Sequence, residues 1–416
     1  MPEDQISPIV LTPQSVLHGA SPLVLTATLR PVAGLDRFQP AGFPEIGHVI
    51  YKAPRKDGHV ENVCIVDSPA SMANHLESVC LRGPHDYELA EELAGVPYLR
   101  CVTGSPDSEG KLAESEREVV VTSLTEGHRI ASTYFVEGQV FDGAGRLQTK
   151  RVKKKEKDKR TGKEQEKEVD TPLHFEDIFV TEAGIILANS KKAHPPAERW
   201  WNVFETIFRF DPNALVHGVL FPQWQIKIAR FLTAHLEAFG AARVDRSGVK
   251  FDRLGKTTSG QPIFAVDDET ATEIRATFIL DVALLRSFGR TEKTSGSDGE
   301  KVRGLSEKQK EFIVALALWK IDRLLKTPFR YRSGCHLELV SLKQGERDAK
   351  LDVNIGNAIH DAAFRSENCQ EPIITDIYWP RDELYREAED DTPAGSPTES
   401  NAGNDSGDED GDGEET

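Results

Sequence analysis

Apolar positions along the first eighty residues follow two different periods. Leu23 to Leu29 reads Leu-Val-Leu-Thr-Ala-Thr-Leu, a β-rich run that predicts a strand. Arg30-Pro31 ends it, and the stretch from Gly34 to Gly47, with Pro40 and Pro44, predicts a loop of restricted backbone. Val63-Cys64-Ile65-Val66 is continuously apolar, as in a strand covered on both faces. Ser68 then offers an N-cap and Pro69 a first helical position. Met72, Leu76, Val79 and Cys80 follow on one helical face, which completes a β–turn–α unit. Further on, Val119 to Val121 predicts a second strand, and Ser123-x-x-Glu126 has the capping-box pattern of a short helix. Gly184 to Ala188 predicts a third strand. Ile226, Ala229, Leu232, Leu236 and Phe239 trace one face of an amphipathic helix ended by Gly240. Ser306 to Lys326 is the longest predicted helix, opened by a Ser306/Gln309 capping box and stopped by Pro328. Its Ile313, Leu316, Ala317, Ile321 and Leu324 form a core-facing stripe.

Three stretches carry no such pattern. Lys150 to Asp170 is almost wholly charged and predicts a mobile loop or hairpin tip; Thr291 to Gly299 is a serine/glycine linker. From about Glu387 the chain is acidic, Ser/Gly/Pro/Asn-rich and nearly free of apolar residues, and is expected to be disordered. The elements mix strands and helices with long insertions and no internal repeat, so the expected class is α+β, a small sheet core carrying lobes. A chain of 416 residues accommodates one large elaborated domain or two. Five scattered cysteines without a C-x-x-C pair, no secretory leader and no apolar run longer than Phe312 to Trp319 lead to the expectation of a soluble cytoplasmic protein with free thiols.

Charge refines this picture. The net charge of −17 argues against nucleic acid at first sight. Twelve acids and no base lie between Glu387 and Thr416, which leaves −5 on the rest. Between Lys150 and Glu168, ten lysines and arginines face five acids. A mildly acidic body can hold a basic groove, because local charge sets binding.

Candidate chemistry lies in short polar, glycine-bearing stretches. Arg37-Phe38-Gln39-Pro40, running on to Gly42-Phe43-Pro44, reads on its own as a surface loop anchored by Phe38, with Arg37 solvated. Ser68 to Asn74 lies at a helix N-terminus, where orphan N–H groups favour an anion; Ser71 and Asn74 fall off the apolar stripe. His128 is a hydrogen-bonded structural histidine or a contact, and Arg129 has the fork that matches phosphate oxygens. Asp211-Pro212 reads as N-cap and first helical residue, leaving Asn213 and His217 on one face. Asp211, Asn213 and His217 do not have a metal-ligand spacing on a regular helix, and no metal or cofactor is expected. Arg230, Lys250, Arg330, Arg332 and Ser333 are further basic or polar positions, several beside glycine, whose plain reading is a solvated turn.

In this order and company, the segments Arg37–Pro44, Asp67–Asn74, Glu126–Arg129, Asp211–Gly218 and Arg332-Ser333-Gly334-Cys335 resemble the RAMP-type backbone subunit of the type I-G (formerly I-U) CRISPR effector complex. The resemblance spans roughly residues 23 to 340. It implies an RRM-like (ferredoxin-like) palm within residues 1–386, with inserted finger and thumb lobes, a charged insertion at 148–170, a linker at 291–299 and an appended acidic tail at 387–416. The implied role is non-catalytic. Copies of the chain would stack head-to-tail along the spacer part of crRNA and present its bases for pairing with target DNA, beside a large subunit and a repeat-handle subunit. Such a filament must ignore base identity and hold phosphates and sugars. The implied guide-RNA contacts are Arg37, Gln39, Ser71, Asn74, His128, Arg129, Asn213, His217, Arg230, Lys250, Arg330, Arg332 and Ser333. The chain lacks the RNP1 pattern of a base-stacking RRM. Two other readings stay open: an endoribonuclease processing precursor crRNA through His128 and His217, and a protein-only assembly scaffold.

Overall fold

The computed structural model describes residues 7–43, 47–157, 164–185, 195–244, 268–293, 300–364 and 373–384. The expectations for Lys250, for the acidic tail and for the 294–299 part of the linker fall outside them. Among the described residues, helices and a large sheet combine in an α+β architecture. The sheet consists of β1 (Ile9–Leu11), β2 (Leu23–Pro31), β3 (Ile50–Pro54), β4 (Val60–Asp67), β5 (Leu232–Phe239), β6 (Glu273–Leu280), β7 (Phe329–Arg332), β8 (Cys335–Gln344) and β9 (Arg347–Leu351). Their spatial order is β1-β9-β8-β2-β6-β5-β4-β3, with β7 paired to β8. All neighbours are antiparallel except β1 and β9.

Alternation explains the inner face. Leu23, Leu25, Ala27 and Leu29 of β2 are buried, as are Ile274, Ala276, Phe278 and Leu280 of β6. The same period governs β5, where Leu232, Ala234, Leu236 and Ala238 point inward and intervening residues are half-buried. This corrects the expected helix over 226–239. Its apolar residues fit a 3.6-residue face, but Leu232 and Leu236 also fit a period of two together with Ala234 and Ala238, while Ala229 and Phe239 fall off that face. Pairing with both β6 and β4 decides for the strand. The helix expected to open at Ser123 does not start there; helical turns come later, at Arg129–Ala131 and Thr133–Val136. Ser123 is buried and its hydroxyl accepts from Leu99 N at 3.3 Å, so it caps a neighbouring strand while residues 122–126 form a turn.

The described helices that matter for the site are α1 (Pro69–Ser78), α2 (Phe175–Glu182), α3 (Trp200–Phe210), α4 (Asn213–His217) and α5 (Glu307–Lys326). Ser68 caps α1 with Pro69 in its first turn, and Ser306 and Gln309 close the expected box on α5. The five stripe residues of α5 are buried, yet so are Phe312, Val314, Ala315 and Leu318 on its other sides. It is a central helix, enclosed by α1, α4 and the helices Pro13–Leu17 and Ile355–Ala362. No described helix is long and apolar enough to cross a membrane.

Three irregular predictions resolve into local geometry. Gly184, with φ of +62°, closes α2 where a strand was expected, and Ile185 is not in a strand; residues 186–188 lie outside the described residues. The charged stretch at 150–170 is a ladder pairing Thr149–Lys157 with Glu164–Pro172. The supposed linker joins a second hairpin, Gly289–Lys293 with Glu300–Gly304.

Because Leu316 is enclosed on α5, Leu316→Ala is expected to lower stability by about 2–5 kcal/mol through the cavity it leaves. Equilibrium denaturation of the two proteins measures it.

Candidate nucleic-acid interface

Strand β4 delivers Asp67 to the start of α1 with its carboxylate buried. A buried carboxylate has to be answered, and three donors do so. Ser68 N donates to Oδ1 at 2.9 Å, His75 Nε2 to Oδ2 at 2.8 Å, and Arg332 Nη2 lies 2.8 Å from Oδ2. Burial opposes the charge, but the His75 hydrogen bond and the Arg332 guanidinium outweigh it and hold the Asp67 carboxyl below its ordinary range. Arg332 also donates to Val66 O at 3.0 Å, and the His75 ring sits edge-on against Phe329 and Tyr331. Gln39 N donates to Gly334 O at 2.9 Å. Gly334 has φ of +78°, and a Cβ there would meet the Gln39 side chain at 3.0 Å. Arg330 and Ser333 are exposed and bonded to each other at 2.8 Å.

Segments some three hundred residues apart, 37–39, 67–75 and 330–334, therefore form one cluster. Arg37 is exposed beside Asp268 at 3.6 Å, Asn74 is exposed, and Ser71 is half-buried with its hydroxyl 3.4 Å from His75 Nε2. Arg230 reaches the same helix end, donating to Pro69 O at 3.4 Å.

The opposite side of α1 holds a second, buried set. Glu77 accepts from Arg129 Nε at 2.6 Å and Nη2 at 2.8 Å, and from Asn213 Nδ2 at 2.6 Å. Lys320 of α5 donates to Asn213 Oδ1 and, at 2.9 Å, meets His217 Nε2. Arg129 also donates to Gly218 O at 3.3 Å and carries a left-handed φ of +54°, a costly conformation for a side-chain-bearing residue. Asp211, fully buried beside this set, does not cap α4 through its side chain, contrary to the expectation; Pro212 occupies the cap position. Burial and the Glu77 charge push the Asp211 carboxyl up to about 7 despite Arg129 and Lys320. Burial, then Lys320, Arg129 and Arg230, push the His217 imidazole well down, so it is neutral.

Arg129, Asn213 and His217 are thus committed to protein partners and turned inward, whereas His128 is exposed, with Nδ1 3.0 Å from Glu126 Oε1. Sequence reasoning missed Asp67 as the hub, along with His75, Glu77, Lys320 and Lys227. Glu77 and Lys320 each interrupt an otherwise apolar helix face, and that is the signal that could have found them.

Two cavities flank His128 and Leu220. One, of about 320 Å³, lies between the Gly127–Arg129 turn and the Lys227–Arg230 segment and has His217 in its lining. The other, about 1050 Å³, is acidic and aromatic, lined among others by Glu126, Glu137, Glu176, Tyr134 and Trp379. Among the described residues no group of three or more His, Cys, Asp or Glu side chains is placed to hold a metal ion.

The family model described as CRISPR-associated protein GSU0053 matches residues 23–243, from β2 through the buried Glu77 set to the strand after Gly240. No curated protein matches the chain.

The raised Asp211 carboxyl sets a pH dependence. Its folded-state value lies near 7, above that of the unfolded chain at about 3.9, so the folded state binds more protons between these values and stability falls as pH rises through that window. Asp211→Asn is expected to flatten this part of the melting temperature–pH curve and to raise the melting temperature at pH 8.

Proposed function

Since the chain belongs to the family of CRISPR-associated protein GSU0053, we propose that it is the guide-RNA-binding backbone subunit of a type I-G CRISPR effector complex. In this reading its copies stack head-to-tail along crRNA, beside a large subunit and a repeat-handle subunit, and leave the guide bases free to pair with target DNA. The observation that carries the reading is the convergence of the 37–39, 67–75 and 330–334 segments into one polar cluster at the end of the sheet. Backbone recognition needs cations, amides and small residues that let a strand approach, and no base-stacking aromatics.

The sheet supports an RRM-like palm. Within it, β8-β2-β6-β5 run antiparallel in an order that matches a β-α-β-β-α-β split unit, with α1 following the first strand, after the inserted β3–β4 hairpin, and α5 preceding the last. The ladders 149–172 and 289–304 are then the finger- or thumb-like insertions of a single elaborated domain.

The contact set differs by environment. Arg37, Gln39, Asn74, Arg230, Arg330 and Ser333 are the outward contacts, supported by exposure or partial exposure. Arg332 and Ser71 act by holding the Asp67 hub in place. The role is read as non-catalytic. Lys320 engages His217 Nε2, which leaves that ring a poor partner for His128 in acid–base cleavage.

Arg330→Glu, whose change lies at an exposed position, and Arg37→Gln, which avoids setting a second carboxylate beside the buried Asp268, are expected to weaken guide-RNA binding with little change in the thermal melt. Each lost phosphate contact should lower the salt slope by about 0.7 log units per log of salt. Fluorescence anisotropy on single-stranded crRNA across a salt series reads both effects. Unchanged affinity in both variants would refute this contact face, and absence of co-purifying repeat–spacer RNA from cells carrying a CRISPR array would favour the protein-only scaffold.

A further inference from the structure

The larger cleft beside His128 carries charge that the chain does not answer. Its lining holds four carboxylates and no lysine or arginine. Glu126 meets His128, but among the described residues Glu137, Glu176 and Glu383 have no ion-pair partner. The nearby Lys150 is taken by Asp177. Between these acids the wall is apolar and open to water. Tyr134 is 37% exposed and Leu220 53%, and the half-buried Trp379 donates from its indole nitrogen to Tyr134 O at 2.8 Å. At about 1050 Å³ the cleft is at the large end of ligand sites and has room for several side chains at once.

The ladder of Thr149–Lys157 with Glu164–Pro172 has the complementary character, and its register shows why. On one face Arg151, Lys153, Lys155 and Lys157 stand opposite Asp170, Glu168, Glu166 and Glu164. That face neutralises itself pair by pair. On the other face Val152 stands opposite Val169, and Lys154 opposite Lys167. Like charges set directly across a ladder destabilise it. Lys150, on the same face, is answered by Asp177, whereas Lys167 is exposed and has no ion-pair partner among the described residues. The ladder starts beside its own cleft, because Asp177 follows Glu176, and then leaves it. Lys154 stands four residues beyond Lys150, about 13 Å along the strand, and Arg151, Lys153, Lys167 and Glu168 are exposed. Two valines followed by two lysines form a small amphipathic surface. Its natural partner combines an apolar wall with carboxylates, and the cleft has both.

We propose that the acidic cleft docks the ladder of a second copy of this chain, with Val152 and Val169 against Tyr134 and Leu220 and the Lys154/Lys167 pair at Glu137, Glu176 and Glu383. The proposal rests on the head-to-tail stacking in the reading above and names the two surfaces that meet. Neither surface shares a residue with the Asp67 cluster. Cleft and ladder are different surfaces and each copy has one of each, so the contact is heterologous and repeats without closing. The acids that admit lysines disfavour a polyanion, which keeps this contact separate from the proposed guide face.

The test is sedimentation velocity on the full chain, freed of nucleic acid by nuclease, across protein and salt concentration. Anisotropy on single-stranded crRNA is measured beside it. The unsubstituted protein is expected to associate as its concentration rises and to come apart with salt. The cleft variant Glu137→Lys/Glu383→Lys and the ladder variant Lys167→Glu, all at exposed positions, should each weaken association about tenfold or more. Lys167→Glu sets an acid opposite Lys154, so the ladder itself is not weakened and the thermal melt should not fall. An equimolar mixture of the two variants keeps one intact cleft for one intact ladder. It should form dimers and stop there, whereas the unsubstituted chain grows further. An unsubstituted chain that stays monomeric, or association that neither variant weakens, overturns the interface; crRNA binding then decides the guide-binding reading on its own. Weakening in both variants without dimers in the mixture assigns the loss to another surface and overturns it as well. The expected association with no crRNA binding upholds the interface and removes the guide-binding reading in favour of the protein-only scaffold.

Discussion

The Glu77 carboxylate is the constraint on which the arrangement depends. It sits 2% exposed on α1, and an ion so far from water is tolerated only when fully answered. Its answer comes from two directions, the Arg129 fork and the Asn213 amide, and Lys320 extends the chain to α5. Four segments separated by up to some 240 residues are therefore placed by one charge. Removing one partner of such a pair typically costs about 3–5 kcal/mol. That scale is large enough to hold Arg129 in a left-handed backbone, whose cost is about 1–3 kcal/mol.

Helix α1 then works as a pivot between two kinds of polar chemistry. Its Glu77 side faces the core. Its N-terminal side presents the Asp67–His75–Arg332 hub, where one buried carboxylate fixes the turn after β7 against the end of β4. Gln39 joins through Gly334, and the exposed Arg37, Arg330 and Ser333 are carried on backbone that these inner bonds have already ordered. Ordering the scaffold in advance lowers the entropic cost of any strand laid across it. An acidic protein can present such a surface because the inner charges cancel pairwise while the outer cations stay in water.

Much of the scaffold was legible from period and capping. The Ser68-Pro69 start of α1, the strand at Leu23, the apolar run at Val63 and the box at Ser306 each rest on local rules that tertiary packing did not override. The reading failed where two periods fit one set of residues. Leu232, Leu236 and Phe239 suit a helix, and only pairing partners far away in sequence make the segment a strand. Ser123 failed for a related reason, since its hydroxyl serves Leu99 instead of its own helix. At the site, residue type was informative and direction was not. Arg129, Asn213 and His217 were recognised as polar residues with a purpose, but nothing in their spacing says that Glu77 and Lys320 lie beneath them. Those two were passed over because their neighbours, Leu76 and Trp319, read as plain core.

The contrast between the two cavities gives the surface a direction. They share His128 and Leu220 as a common wall, yet one has a cationic lining and the other carries Glu126, Glu137, Glu176 and Glu383. Burial, then the Asp177 and Glu137 charges, raise the Glu176 carboxyl, so the acids of the larger cleft already crowd one another. Charge of this sign disfavours a polyanion, whereas Arg230 and Lys227 on the other side of the shared wall favour one. Beyond Arg230 the next favourable feature is the N-terminal turn of α1, and beyond that the cluster of Arg37, Arg330 and Ser333. The two cavities thus differ in sign, one lined by cations and the other by carboxylates. Under the proposed guide-binding role, in which base identity has to be ignored, such placing and withholding of charge is what would define the path of a strand.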